Sequence, residues 1–148
     1  MSKIDLREYK KEIRAQMRKI RREMPPDVIR EKNDQIFRRL VATQQYRRAK
    51  TVVLYVSKEL EVDTRRLIKR AWKDGKRVAA PRCVENTRLM NMHLIRSMDD
   101  RQEGAFVILE PNENLPILHD TRDAICIVPA FCNDFRGYRV GYGGGYYD

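Results

Sequence analysis

"TVVLYVSKELEVDTRRLIKRAWKDGKRVAAP" occupies residues 51–81, and its reading decides the fold. Residues 51–56 are a short β-branched and apolar run, the mark of a strand buried on both faces. "SKELEVDT" follows as a loop, and Asp63 or Thr64 can cap a helix there. "RRLIKRAWKD" is that helix, with Gly75 at the C′ position, where a left-handed backbone suits glycine. "KRVAAP" is a second strand. Strand, helix and strand in about 30 residues make a βαβ unit, which favours a parallel sheet.

Upstream, Leu6, Tyr9, Ile13, Met17, Ile20 and Met24 fall at helical spacing and form one apolar stripe. "MPPD" stops that helix, and Asp27 helps to start another. Ile29, Ile36, Phe37, Leu40 and Val41 form the apolar face of the second helix. Both stripes are expected to contact the core. Downstream, "RLMNMHLI" alternates as a half-buried strand through Leu89, Met92 and Leu94. "FVILEPNENLPI" begins extended and breaks at Pro111 and Pro116. "DAICIVPAF" is a further buried strand, in which Cys126 is expected to pack as a small hydrophobe. The expected fold is a three-layer α/β domain spanning residues 1–148: a basic helical segment over 1–50, packed on a mostly parallel sheet within 51–148.

The 148 residues carry a net charge of +10, and the excess is uneven. Residues 1–50 hold 16 Lys and Arg against 7 Asp and Glu. Such a surface attracts polyanions: nucleic acid, nucleotide phosphates or a polyglutamate tail. Three widely spaced cysteines and two distant histidines indicate neither a disulfide framework nor a zinc site. No apolar run has the length of a membrane span, and the charged start lacks the apolar core of a signal peptide, so a cytoplasmic protein is expected.

The chain reaches "RVGYGGGYYD" at residues 139–148 after its last apolar strand, where ligand loops of open α/β sheets sit. Glycine lets a ligand approach the backbone, and consecutive amides can form a nest for phosphate oxygens. Gly141, Gly143, Gly144 and Gly145 are the candidates. Arg139 adds a fixed positive fork, and Asp148 offers oxygen to Mg2+. The segment is neither a dinucleotide fingerprint, which would need glycine at Tyr146, nor a P-loop.

"DFRGYRVGYGGGYYD" resembles the signature of the 5-formyltetrahydrofolate cyclo-ligase family, roughly Asp-x-x-Gly-x-Arg-Leu-Gly-x-Gly-x-Gly-Tyr-Tyr-Asp after an apolar strand and a proline. Asp134, Gly137, Arg139, Gly141, Gly143, Gly145, Tyr146, Tyr147 and Asp148 fall in step, with Val140 at the leucine. "KKEIR" resembles the family's Lys-x-x-x-Arg, which makes Lys10 and Arg14 phosphate contacts. "LYVSKELEVDT" resembles its pterin-contacting loop and makes Val56 and Glu61 substrate-binding candidates. "MNM" and "GAFVILEP" resemble segments near the folate and bring in Met92 and Phe106.

The resemblance implies ATP-dependent closure of 5-formyltetrahydrofolate to 5,10-methenyltetrahydrofolate, giving ADP and phosphate through a phosphorylated formyl group. It assigns ATP to Lys10, Arg14 and residues 139–148, including Tyr142, with Arg139 and Tyr147 catalytic, Tyr147 also against the substrate, and Mg2+ on Asp148. No nucleic acid or membrane partner is expected, and the chain is expected as a monomer or weak homodimer. Two departures stand out. "PAFCND" puts Asn133 where the family carries an apolar or aromatic residue. Family members also continue for about one more strand-and-helix unit, so the chain is expected to lack that portion. The alternatives are a truncated or degenerate protein that binds nucleotide or folate without turnover, a different ATP-using enzyme, and a basic nucleic-acid-binding module.

Overall fold

The computed structural model describes residues 5–98, 101–103, 109–143, 145 and 147. Three helices come first: α1 (Leu6–Glu23), α2 (Pro26–Val41) and the short α3 (Gln44–Arg48). The βαβ unit follows, with β1 (Thr51–Leu54), α4 (Arg65–Lys73) and β2 (Arg77–Cys83). Next come β3 (Met90–Ile95), β4 (Arg101–Glu103), β5 (Leu109–Pro111) and β6 (Ala124–Ile127). A final hairpin joins β7 (Cys132–Asn133) to β8 (Arg139–Val140).

The main sheet has the order β3-β2-β1-β6. β1 runs parallel to both β2 and β6, with Val53 opposite Ala79 on one side and Cys126 on the other. β3 is antiparallel to β2. The fold is therefore α/β with a mostly parallel central sheet. α4 ends as the sequence predicts. Gly75 lies at φ +76°, its N–H donates to Trp72 O, and the Lys76 N–H donates to Ala71 O. That pair of bonds is a Schellman cap.

Side-chain alternation divides the core between the two faces. Val52, Leu54, Val78, Ala80 and Ile95 pack with Tyr46 of α3 and with Leu67, Ile68 and Ala71 of α4. Phe37, Leu40 and Val41 of α2 lean on this cluster. Each such side chain, fully buried, contributes about 1.5–3 kcal/mol relative to exposure. Val53 and Ala79 face the other way, with Leu118, Met92, Leu94 and Ala124. Residues 116–118 line the outer edge of β3, where the Leu94 and Leu118 N–H groups bond to Pro116 O and Met92 O.

Three expectations are corrected. The α1 stripe does not enter the core: α1 has no buried residue, and Leu6, Tyr9 and Ile20 are more than half exposed. In β3 the buried residues are His93 and Ile95, while Leu89 lies outside the strand and is exposed. His93 is a core histidine, its Nδ1 2.9 Å from Leu115 O. Cys126 is exposed, because β6 has β1 as its one described partner and stands at the edge of the sheet.

Candidate active site

The loop after β1 is fixed by its own polar side chains. Thr64, at the N-cap of α4, turns its hydroxyl back: Oγ1 donates to Tyr55 O at 2.7 Å and accepts from the Ser57 N–H at 3.0 Å. Asp63 accepts the Arg65 N–H in its place, and the Tyr55 hydroxyl donates to Val62 O. Glu61 Oε1 accepts the Lys58 N–H at 2.9 Å. Leu60 sits at φ +68°, a strained conformation for a branched residue, and its carbonyl receives Arg21 at 2.8 Å.

The glycine segment is delivered by the β7–β8 hairpin. Asp134 Oδ1 accepts the Arg136 and Tyr138 N–H groups, the Gly137 N–H donates to Asp134 O, and Gly137 takes φ +90°. Asp134 and Gly137 of the signature thus build a three-residue hairpin turn. Past β8 the chain crosses toward α1. Arg14 Nε donates to Gly141 O at 2.7 Å. A Cβ on Gly143, itself at φ +94°, would stand 3.4 Å from the Arg14 guanidinium carbon. A Cβ on Gly141 would lie 2.5 Å from Arg139 Nη1, and one on Gly145 would lie 3.9 Å from Arg88 Cδ. Arginines from α1, from the loop before β3 and from β8 thus stand beside three glycines, and at Gly141 only glycine fits without a shift of Arg139.

Tyr142 links this segment to the loop after β1. Its hydroxyl donates to Glu61 Oε2 at 2.9 Å, and its ring stands edge-on to Phe131, centroids 4.6 Å apart. Arg21 grips the same place through Ala130 O and Phe131 O, and the Arg18 guanidinium lies 4.9 Å from the Phe131 ring centroid. α1 is therefore held by guanidinium-to-carbonyl bonds, which explains how it docks without burying an apolar residue.

The tyrosines here stay protonated. Burial, then the Glu61 carboxylate, pushes the Tyr55 phenol up to about 12, against the charge of Arg21. Burial and Glu61 also raise Tyr142. Since 43% of Tyr142 is exposed, its bond to Glu61 is the firmer cause. Burial raises Tyr147 as well, and the Glu61 carboxylate adds to it. Arg139 lies 5.9 Å from the Tyr147 ring centroid and donates to Pro129 O at 3.3 Å.

The structure thus brings together Arg14, Glu61, Arg139, Gly141, Tyr142, Gly143 and Tyr147. Lys10 is exposed one turn before Arg14, and Val140 is half-buried in β8. Val56 leans on the helix-side core. Met92 packs on Val53, Ala79 and Leu118, on the face that also carries Cys126 by register. Phe106, Gly144, Tyr146 and Asp148 lie outside the described residues. Among the described residues no group of three His, Cys, Asp or Glu side chains could hold a metal, and no helix is long and apolar enough to cross a membrane. Sequence reasoning missed Arg18, Arg21, Arg88 and Phe131. Arg18 and Arg21 fall four and seven residues after Arg14, on one helix face, a signal that was present.

The model of the 5-formyltetrahydrofolate cyclo-ligase family matches residues 6–148. A probable 5-formyltetrahydrofolate cyclo-ligase of Schizosaccharomyces pombe is 30% identical over 142 residues, covering 94% of this chain and 70% of that one. The 5-formyltetrahydrofolate cyclo-ligase of Escherichia coli is 30% identical over 137 residues, covering 89% and 74%. Among solved structures, 5,10-methenyltetrahydrofolate synthetase of Aquifex aeolicus superposes with a TM-score of 0.79 at 25% identity, over 93% of this chain and 69% of that one. The synthetase of Mycoplasma pneumoniae shares the fold at a TM-score of 0.70 and 18% identity. With its family model matched over nearly its whole length, the chain belongs to the 5-formyltetrahydrofolate cyclo-ligase family.

Proposed function

We propose that this protein is an ATP-dependent 5-formyltetrahydrofolate cyclo-ligase. The observation that carries the reading is the convergence on one glycine segment of Arg14, a phosphate candidate, and Glu61, a pterin candidate, by hydrogen bonds at 2.7 Å and through Tyr142 at 2.9 Å.

The chemical problem is a formamide carbonyl, a poor electrophile. Its oxygen attacks the γ-phosphorus of ATP, ADP leaves, and an imidate phosphate results. N10 of the folate then attacks the activated carbon, its proton passes to the departing phosphate, which carries the former formyl oxygen, and the methenyl bridge is left. Neither step needs a protein nucleophile; both need alignment and compensation of charge. Arg139, Arg14, Lys10 and the glycine amides neutralise the triphosphate. Glu61 accepts hydrogen bonds from the pterin, with Val56, Met92 and Phe106 packing on the substrate. Tyr147, held neutral by burial, offers an O–H to the formyl or phosphate oxygen. Mg2+ takes one or two carboxylates and the oxygens of substrate phosphates rather than a protein cage. It would lower the charge of the polyphosphate, with Asp148 as the protein ligand.

The test is direct. Protein, 5-formyltetrahydrofolate, Mg2+ and ATP are mixed, and the near-ultraviolet absorbance of the methenyl product is followed. Product that requires ATP is expected. Arg139→Ala is expected to lower kcat/KM by about a hundredfold or more, as loss of a transition-state charge contact does. Binding of ATP or folate without product would replace the enzyme by a binding protein. Wild-type kinetics in Arg139→Ala would overturn the phosphate assignment.

A further inference from the structure

We propose that Tyr142 is a positioning residue that couples the nucleotide half of the site to the pterin half through its hydroxyl on Glu61. The inference rests on the reading above, in which the glycine segment holds phosphates and Glu61 holds the pterin.

Tyr142 occupies the open position between two glycines of the signature, so nothing in that pattern requires a tyrosine there. Its backbone neighbours face Arg14, which bonds to Gly141 O and lies against Gly143. Its side chain leans edge-on against Phe131 and ends on Glu61 Oε2. Phe131 is itself fixed, since Arg21 holds its carbonyl and Arg18 covers its ring. Glu61 has a long side chain on a loop, and its other oxygen takes the Lys58 N–H. With both oxygens engaged, the carboxylate has a defined direction.

The coupling follows from this order of contacts. Phosphate on the amides of residues 141–143 fixes the backbone from which Tyr142 projects. A fixed Tyr142 fixes Glu61, and the pterin then meets a carboxylate already oriented, with less side-chain freedom to lose. By linkage the effect is reciprocal, so bound folate tightens the nucleotide by the same factor.

The experiment measures the dissociation constant of 5-formyltetrahydrofolate with and without a saturating non-hydrolysable ATP analogue and Mg2+, in wild type and Tyr142→Phe. Phenylalanine keeps the ring against Phe131 and removes the hydroxyl. Wild type is expected to bind folate about fivefold more tightly with nucleotide, the low end for coupled sites. Tyr142→Phe is expected to bring that ratio close to one and to raise the folate KM by a larger factor than it lowers kcat. Glu61→Ala supplies a second route: in that background Tyr142→Phe should change the ratio of folate affinities with and without nucleotide no further, and a further change would overturn the path through Glu61. An unaltered ratio in Tyr142→Phe, or a wild-type ratio of one, overturns the coupling while the proposed function stands. Wild-type protein that binds neither ligand overturns both.

Discussion

Tyr55, Tyr142 and Tyr147 all hold their protons above the ordinary tyrosine range. An unfolded tyrosine ionises near pH 10. Between that value and the raised one, the folded chain binds more protons than the unfolded chain, so stability falls as pH rises. The contribution is complete below about pH 10 and is lost through the more alkaline range. The melting temperature should therefore drop more steeply above pH 10 in wild type than in Tyr147→Phe; parallel alkaline limbs would count against a buried neutral phenol. Glu61 and Arg139 could be singled out from the sequence because they stand in patterned stretches. Arg18 and Arg21 share the helix face of Arg14 and could have been found from it. Phe131 could not, since a ring that receives a guanidinium leaves no mark in the sequence. Cys126 was misread for a related reason: an apolar run announces a strand, whereas exposure depends on which strand becomes the edge.

Among the elements, the βαβ unit was readable and α1 was only half so. Strand composition, a C′ glycine and the 30-residue rhythm all act locally. The helical period of α1 is local too, and the helix forms. Its stripe suggested burial, yet what fastens it is Arg21, with bonds of 2.8–2.9 Å to Leu60 O, Ala130 O and Phe131 O. Arg21→Met keeps the length and apolar stem of the side chain and deletes all three bonds. It is expected to cost about 2 kcal/mol in urea denaturation, within the range for hydrogen bonds from a charged group. Arg21→Lys should recover little of this, since a single ammonium cannot reproduce the planar fork. Full stability in Arg21→Met would mean that α1 is held by something other than these carbonyls.

For the molecule as a whole, the main sheet and the α2–α4 layer form the apolar body, while α1 and the glycine segment meet across its loop end. Their bond, Arg14 to Gly141, spans 127 positions in the chain. Loop closure over such a span has an entropic cost that must be met before the contact repays it. Most helical stability in a protein comes from tertiary packing, and α1, with no buried residue, gains little of it before this contact forms. In pulsed hydrogen-exchange refolding, amides of β1, β2 and α4 should therefore gain protection before those of α1; simultaneous protection would contradict this order. The same bond bears on biosynthesis. As the polypeptide leaves the ribosome, α1 emerges with its Arg14 placed 127 positions ahead of Gly141 and waits, basic and amphipathic, until that residue has been translated before its arginine finds its carbonyl. The helix made before the sheet is secured after it, so the loop end that gathers the candidate site can be completed only once the strands beneath it have been synthesised.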